Sequence, residues 1–272
     1  MTARTDLRAP LRVKPGSKVD LSKLDPSATL GWTKSSAALA MPKLNQSLAD
    51  LQDRLWAEQK HAVLVVLQGI DASGKDGTIK SVMTAFNPQG CDVANFKVPS
   101  ADEAAHDFLW RIHQRTPGRG YIMIFNRSHY EQVLIVRVHG QEPKAQWSRH
   151  YEQIKDFERL LTESSTTVVK FFLHIDKDEQ RQRIQSRYDD PKKRWKFSMG
   201  DLAERKLWDD YMAAYQDALS RTSTANAPWY VIPANRNWFR NLAVASILER
   251  TLRDLKPAYP PEPDLPKDLV IE

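Results

Sequence analysis

An unbroken apolar run, Ala62 to Leu67, leads into Gly69-Ile70-Asp71-Ala72-Ser73-Gly74-Lys75-Asp76-Gly77-Thr78, and a helical pattern follows. This succession constrains the fold more than any other feature of the chain. A continuous apolar strand is one covered on both faces, which places it near the centre of a parallel sheet. A glycine-rich turn between such a strand and a helix gathers backbone N–H groups around one point, where they can hold a phosphate. The spacing fits G-x-x-x-x-G-K, in which the lysine reaches the outer phosphates of a ligand. Lys75 is that lysine, and Gly69, Ser73, Gly74, Asp76, Gly77 and Thr78 join it as candidate phosphate-binding residues. Position 76 carries Asp where a Ser or Thr normally touches magnesium, and Asp71 puts a second carboxylate inside the loop. Two carboxylates in a phosphate cradle repel a bare polyanion, so they make sense with a divalent metal or as a base. The chemistry indicated is phosphoryl transfer of an unusual kind.

Further strands are expected at residues 92–98, 121–125, 168–175 and 229–233, separated by helical patterns. Alternation of this sort predicts an α/β fold with a central five-stranded parallel sheet and right-handed crossovers. Ligands then bind beyond the C-terminal ends of the strands. Leu44, Leu48, Leu51, Leu55 and Trp56 recur at helical spacing ahead of the first strand. Ser100, with Asp102 and Glu103 after it, reads as a helix N-cap. Residues 1–42, with Pro10, Pro15, Pro26 and Pro42, are expected to form an extended arm. Residues 43–256 form the catalytic domain, and 257–272, with five prolines, a proline-rich tail.

Lys plus Arg number 40 against 34 Asp plus Glu, a net charge of +6 that favours an anionic partner. The basic residues are dispersed except at Lys192-Lys193-Arg194-Trp195-Lys196, which argues for one local anion site and against a nucleic-acid-binding stripe. A single cysteine, Cys91, excludes an intramolecular disulfide and a cysteine-rich zinc site. No apolar run approaches the roughly 18–20 residues of a membrane span. Arg4, Arg8 and Arg12 come with little acid, but a flexible arm is preferred over a transit peptide, and a cytoplasmic location is expected.

Two more segments carry chemistry. Asn126-Arg127-Ser128-His129-Tyr130-Glu131 follows the third strand, where P-loop enzymes commonly carry a magnesium-holding acid. Asn126 supplies a neutral amide instead, and Arg127 can fork onto transferring phosphate oxygens. Arg183 to Phe197 follows the helix after the fourth strand, the place of a mobile lid in nucleotide kinases. A cationic lid there can close over a phosphate chain and exclude water, with a solvated basic loop as the alternative and a basic-aromatic nucleic-acid surface as the weakest reading. His129 and His150 lack metal-ligand spacing, and His129 reads as a hydrogen bonder at a helix start.

These blocks, with Asp189-Asp190-Pro191-Lys192-Lys193-Arg194-Trp195-Lys196-Phe197-Ser198, Ala227-Pro228-Trp229 and Ile232-Pro233-Ala234-Asn235, resemble the family 2 polyphosphate kinases over about residues 20 to 256. The resemblance implies a thymidylate-kinase-like P-loop kinase, a three-layer sandwich with a helical lid at about 187–206. It implies transfer of a phosphoryl group between inorganic polyphosphate and AMP or ADP, with adenine, or alternatively guanine, as the base. Magnesium, or manganese in its place, is the implied cofactor, with Asp71 as metal ligand. Asp71, Lys75, Arg127 and Arg187 match the family's essential groups, and Lys193 and Arg194 would bind phosphate. Asn126 and Glu131 match the acceptor positions of the branch that takes AMP as well as ADP. A homo-oligomer, dimer or tetramer, is expected, with no nucleic-acid or membrane partner. The rival readings are an ATP-dependent nucleoside monophosphate kinase and a phosphate- or nucleic-acid-binding module on an inactive P-loop.

Overall fold

A computed structural model describes residues 6–264. Arg4 and Pro266, which entered the readings of the two termini, lie outside them. Five strands form one parallel sheet: β1 (Ala62–Gln68), β2 (Cys91–Asn95), β3 (Ile122–Asn126), β4 (Thr166–His174) and β5 (Trp229–Pro233), in the order β2-β3-β1-β4-β5. Every residue of β1 is buried, as a central strand requires. The strand expected at residues 92–98 is Cys91–Asn95; the Phe96 N–H still donates to the Asn126 carbonyl of β3 at 3.2 Å, and the chain then reaches the Ser100 cap. That cap is a full capping box with Glu103.

Helices cover both faces. On one lie α1 (Lys34–Glu58), α2 (Lys75–Met83) and, in contact with both, the long C-terminal helix Asn237–Leu255. On the other lie α3 (His150–Glu163) and the helix Trp208–Thr222, which pack on each other. Between them in the chain come α4 (Lys177–Asp189) and α5 (Met199–Lys206), so the last two helices are α6 (Trp208–Thr222) and α7 (Asn237–Leu255). Tyr151, Ile154, Phe157 and Leu161 give α3 its buried face, while the adjacent Leu160 is 51% exposed.

The expected arm differs most. Helix α1 begins at Lys34, nine residues before the expected domain start at 43, because Thr33 and Ser36 form a capping box there. Pro42 sits inside the helix. A proline there costs about 3 kcal/mol, but the buried Leu44, Leu48, Leu51 and Leu55 pack this helix against α7 and hold it. Residues before it are not a free extended arm either. Leu7, Leu11, Val13 and Leu21 are buried, Arg8–Leu11 is helical, and the Val13 N–H donates to the Trp229 carbonyl at 2.9 Å along β5. Apolar residues among the prolines explain this: Leu11 and Val13 are buried beside β5, and Leu21 is buried with its N–H on Gln216 of α6 at 2.8 Å. At the other end, Tyr259 Oη donates to Asp53 Oδ2 at 3.1 Å, laying the tail against α1.

Candidate active site

Strands β1 and β3 are neighbours, with Leu67 opposite Asn126. The glycine loop leaving β1 and the turn leaving β3 therefore emerge side by side. The Arg127 N–H donates to the Leu67 carbonyl at 3.1 Å and fixes one turn on the other. Arg127 adopts φ +63°, a left-handed conformation uncommon outside glycine. Strain of this kind is kept where the surrounding structure needs it. Here it carries the guanidinium back over the loop, where Nη2 donates to Asp71 Oδ1 at 2.7 Å. Nη1 lies 3.8 Å from Glu131 Oε2. Burial opposes the cation, but Glu131 and Asp71 together hold its pKa above the ordinary arginine value.

Within the loop, Gly69 has φ +154°, and a Cβ there would stand 2.6 Å from Ser73 Oγ and 3.0 Å from the Leu173 carbonyl of β4. Lys75 opens α2 and donates from Nζ to the Gly69 carbonyl at 2.6 Å. Burial lowers its pKa, and Asp71 works in the opposite direction. Asn126 donates from Nδ2 to Asp76 Oδ1 at 3.1 Å and to Asn95 Oδ1 at 2.8 Å. Its own Oδ1 is buried without a hydrogen-bond partner among the described residues.

One cavity of about 800 Å³ brings most of the expected residues together: Asp71, Gly74, Lys75, Asp76, Gly77, Asn126, Arg127, Arg187 and Lys193 all line it. Eight basic residues and three acidic ones form its walls. Glu131 faces a neighbouring cavity of about 670 Å³, beside His106, Phe108 and Arg111. Its Oε1 accepts from Gln68 Nε2 at 3.1 Å, and burial raises its pKa against the pull of Arg127.

Four expected phosphate ligands are turned elsewhere. Ser73 is fully buried, with its N–H on the Ile70 carbonyl at 3.0 Å. Thr78 is buried and returns its hydroxyl to the Gly74 carbonyl at 3.2 Å, as a threonine one turn into a helix readily does. Gly69 serves the turn and does not line the cavity. Arg194 donates to the Tyr188 carbonyl at 3.0 Å, at the C-terminal end of α4 where a cation is favoured. Its neighbours Lys192, Trp195 and Lys196 line the cavity in its place.

The basic stretch expected to follow the helix begins inside it, since Arg183 to Asp189 belong to α4, and Asp201 and Arg240, which sequence reasoning passed over, also reach the site. Arg183 Nη1 donates to the Ala72 and Ser73 carbonyls at 3.0 and 2.8 Å, and Nη2 to the Ala234 carbonyl at 2.6 Å, tying the loop to the end of β5. It lies one turn before Arg187 on α4, a spacing that puts both on one face and was legible. Asp201 of α5 pairs with Arg187 at 3.1 Å. Burial, and then the charge of Asp71, raise the Asp201 pKa. Arg240, in the first turn of α7, stands against Gly74.

No cluster of three or more His, Cys, Asp or Glu suited to a metal occurs among the described residues. His129 is buried against Glu158, at 3.2 Å, and His150 bonds Glu142 and Gln153. Magnesium rarely needs an all-protein cage: one or two carboxylates, waters and substrate phosphates suffice. Asp71, Asp76 and the unpartnered Asn126 oxygen fit that kind of ion.

A parallel sheet in this order, a glycine loop running into a helix and a cationic lid define a P-loop phosphotransferase. A family model described as Polyphosphate kinase 2 matches residues 33–259, and the chain belongs to that family. It is 52% identical over 263 residues, 96% of this chain and 98% of the relative, to an AMP/ADP-polyphosphate phosphotransferase of Meiothermus ruber. It is 45% identical to an ADP-polyphosphate phosphotransferase of Rhodopseudomonas palustris, covering 92% of this chain and 91% of that one. Among solved structures, polyphosphate kinase 2 from Arthrobacter aurescens TC1 superposes with a TM-score of 0.92 at 44% identity, covering 96% and 94% of the two chains.

Proposed function

We propose that this chain is a polyphosphate-dependent nucleotide kinase that transfers the terminal phosphoryl group of inorganic polyphosphate to AMP and to ADP. The observation that carries this reading is the cavity over the loop, in which eight basic residues face three acidic ones. Such an excess suits a donor with a charge on every phosphate. The acceptor enters from the neighbouring cavity beside Glu131, and Arg127, on the wall of the first cavity, lies 3.8 Å from Glu131.

A non-bridging oxygen of the nucleotide phosphate attacks the terminal phosphorus of the chain in line. The new P–O bond forms as the anhydride P–O bond breaks, and polyphosphate shortened by one unit leaves as an oxyanion. Transfer of this kind requires positioning and charge neutralisation, with little covalent help. Lys75, the loop N–H groups and Arg127 hold the transferring group, while Arg187 and Lys193 close from the lid. Asp71 orients the attacking phosphate, which is ionised near neutral pH and needs no base. Asp71, with Asp76 and Asn126 nearby, would hold magnesium, which would supply neutralisation of phosphate charge. AMP as well as ADP is supported by Asn126 and Glu131 at the acceptor positions and by the name of the Meiothermus ruber relative.

The test is direct. Purified protein with magnesium and long-chain polyphosphate is given AMP or ADP in separate reactions, and nucleotides are separated by chromatography. ADP and ATP from AMP are expected. ATP from ADP alone removes the AMP reading. Turnover with ATP as the sole donor and none with polyphosphate replaces the proposal with an ordinary nucleotide kinase.

A further inference from the structure

Arg240 is a buried cation on the wall of the site, 3% exposed, and it lines the same cavity as Lys75 and Arg187. Its hydrogen bonds go to neutral amide oxygens: Nη1 to Asn237 Oδ1 at 2.7 Å, and Nε and Nη2 to Asn241 Oδ1 at 3.1 and 2.9 Å. Among the described residues no carboxylate lies within ion-pair distance of it, and the charged group that acts on it is another cation, Arg183. Burial, with Arg183 adding to it, lowers its pKa to about 10, which leaves it charged at neutral pH. A buried charge without a counter-ion opposes folding, and proteins seldom retain one.

The loop is shaped around it. A Cβ at Gly74 would stand 1.9 Å from Arg240 Nη1, and one at Gly77 would stand 3.0 Å from Nη2. Two glycines of the phosphate loop thus make room for a guanidinium that approaches from α7. The fork geometry of arginine matches a pair of phosphate oxygens.

We infer that Arg240 is a donor-binding residue, its guanidinium holding a phosphate of the polyphosphate chain on the Gly74–Gly77 side of the loop, while Arg127 serves the Asp71 side. The inference rests on the polyphosphate-donor reading given above. Its counter-ion is the substrate itself, which explains why the protein provides none.

Arg240→Met and Arg240→Gln test this against a structural role. Glutamine can still donate to the Asn237 and Asn241 oxygens but carries no charge, so it serves if the methionine variant does not fold. Both variants are expected to melt no lower than the wild type without ligand. Their KM for polyphosphate should rise about 10- to 100-fold, the range that one or two charge-assisted bonds supply, while the KM for nucleotide stays within twofold. Tripolyphosphate should raise their Tm less than it raises that of the wild type. A lower ligand-free Tm with an unchanged polyphosphate KM would overturn the inference and make Arg240 a prop for the loop. Wild-type protein in the same assay separates the two readings, since failure of wild type to use polyphosphate defeats the donor assignment, whereas normal wild-type turnover with indifferent variants defeats only the role of Arg240.

Discussion

Asp71 Oδ1 and Arg127 Nη2 meet at 2.7 Å although they leave different strands, because Leu67 and Asn126 lie opposite each other in the sheet. The pair keeps an arginine aimed at the loop and a carboxylate beside it, both on the wall of the cavity over the loop. Removing them should therefore have unlike effects. Asp71→Asn keeps most of the shape and should still bind tripolyphosphate, measured by calorimetry, while turnover falls. Arg127→Met removes a preorganised positive charge from the transferring group, a loss worth about 10²–10³ in kcat. Arg127→Lys should recover little, since an ammonium cannot fork. Near-normal turnover in Asp71→Asn would remove it from the mechanism.

Arg187 reaches the cavity from α4 but is paired with Asp201 of α5 at 3.1 Å. Asp201 also adds negative charge to a site meant for a polyanion, and burial already raises its pKa. Asp201→Asn should free Arg187 and lower the KM for polyphosphate. Partly exposed pairs are worth up to about 1 kcal/mol, so the change should be about two- to fivefold. The KM for nucleotide should not move. A higher polyphosphate KM would show instead that Asp201 holds Arg187 in its working place.

The fold was legible where local pattern decides it. The apolar continuity of β1, the Ser100 cap and the strand at Trp229–Pro233 were all readable in sequence. Helix α1 was misjudged because Pro42 argues locally for a break, and only its packing against α7 overrides that. At the site, residues within a contiguous motif were found, and those that arrive from afar were not. Arg240 reaches Gly74 across more than 160 residues of sequence, and no spacing encodes that meeting. Ser73 and Thr78 show the converse: they lie in the motif, but the turn buries their hydroxyls.

Gly69 is the glycine most confined by backbone. Its φ of +154° is rarely open to other residues, and a Cβ would press on the Leu173 carbonyl at 3.0 Å, which cannot swing aside as a side chain can. Gly69→Ala should lose about 1–3 kcal/mol of stability. It should also displace the carbonyl that receives Lys75, so calorimetric Tm and kcat should fall together. A variant with wild-type Tm would mean that β4 yields more easily than the geometry implies.

Lys193 and Arg194 are neighbours in sequence with different placements. Lys193 lines the cavity over the loop, whereas Arg194 is bonded to the Tyr188 carbonyl and lies over the Tyr188 ring at 5.9 Å. Lys193→Glu should raise the KM for long polyphosphate more than that for tripolyphosphate, because a longer chain covers more of the lid. It should also flatten the salt dependence, as fewer counterions are released on binding. Arg194→Glu should do less to KM and more to the order of the lid, seen as faster amide exchange around residues 188–197. Equal KM effects at the two positions would mean that the lid reorganises when the donor binds.

Beneath the turn that follows β3, Lys170 is fully buried and bonds Glu158, Tyr130 Oη at 2.9 Å and the Thr222 carbonyl at 2.8 Å. Glu158 also faces His129 at 3.2 Å. Burial pushes the Glu158 pKa up, but Lys170 and His129 outweigh it and keep it below the usual carboxylate value. A lowered carboxylate pKa contributes stability that is complete above the unfolded value of about 4.3 and lost as pH falls through the folded one. Lys170→Met leaves Glu158 buried without its main counter-charge and should cost about 3–5 kcal/mol at pH 7. The sign of the Glu158 shift should then reverse. With its folded pKa raised, protonation favours the folded state, so the Tm gap between wild type and variant should narrow from pH 7 to pH 5. Lys170→Met/Glu158→Gln removes both charges and should regain much of the loss at neutral pH. A gap that stayed constant with pH would mean that Glu158 finds another cation when Lys170 is gone, and His129 is the residue placed to provide it.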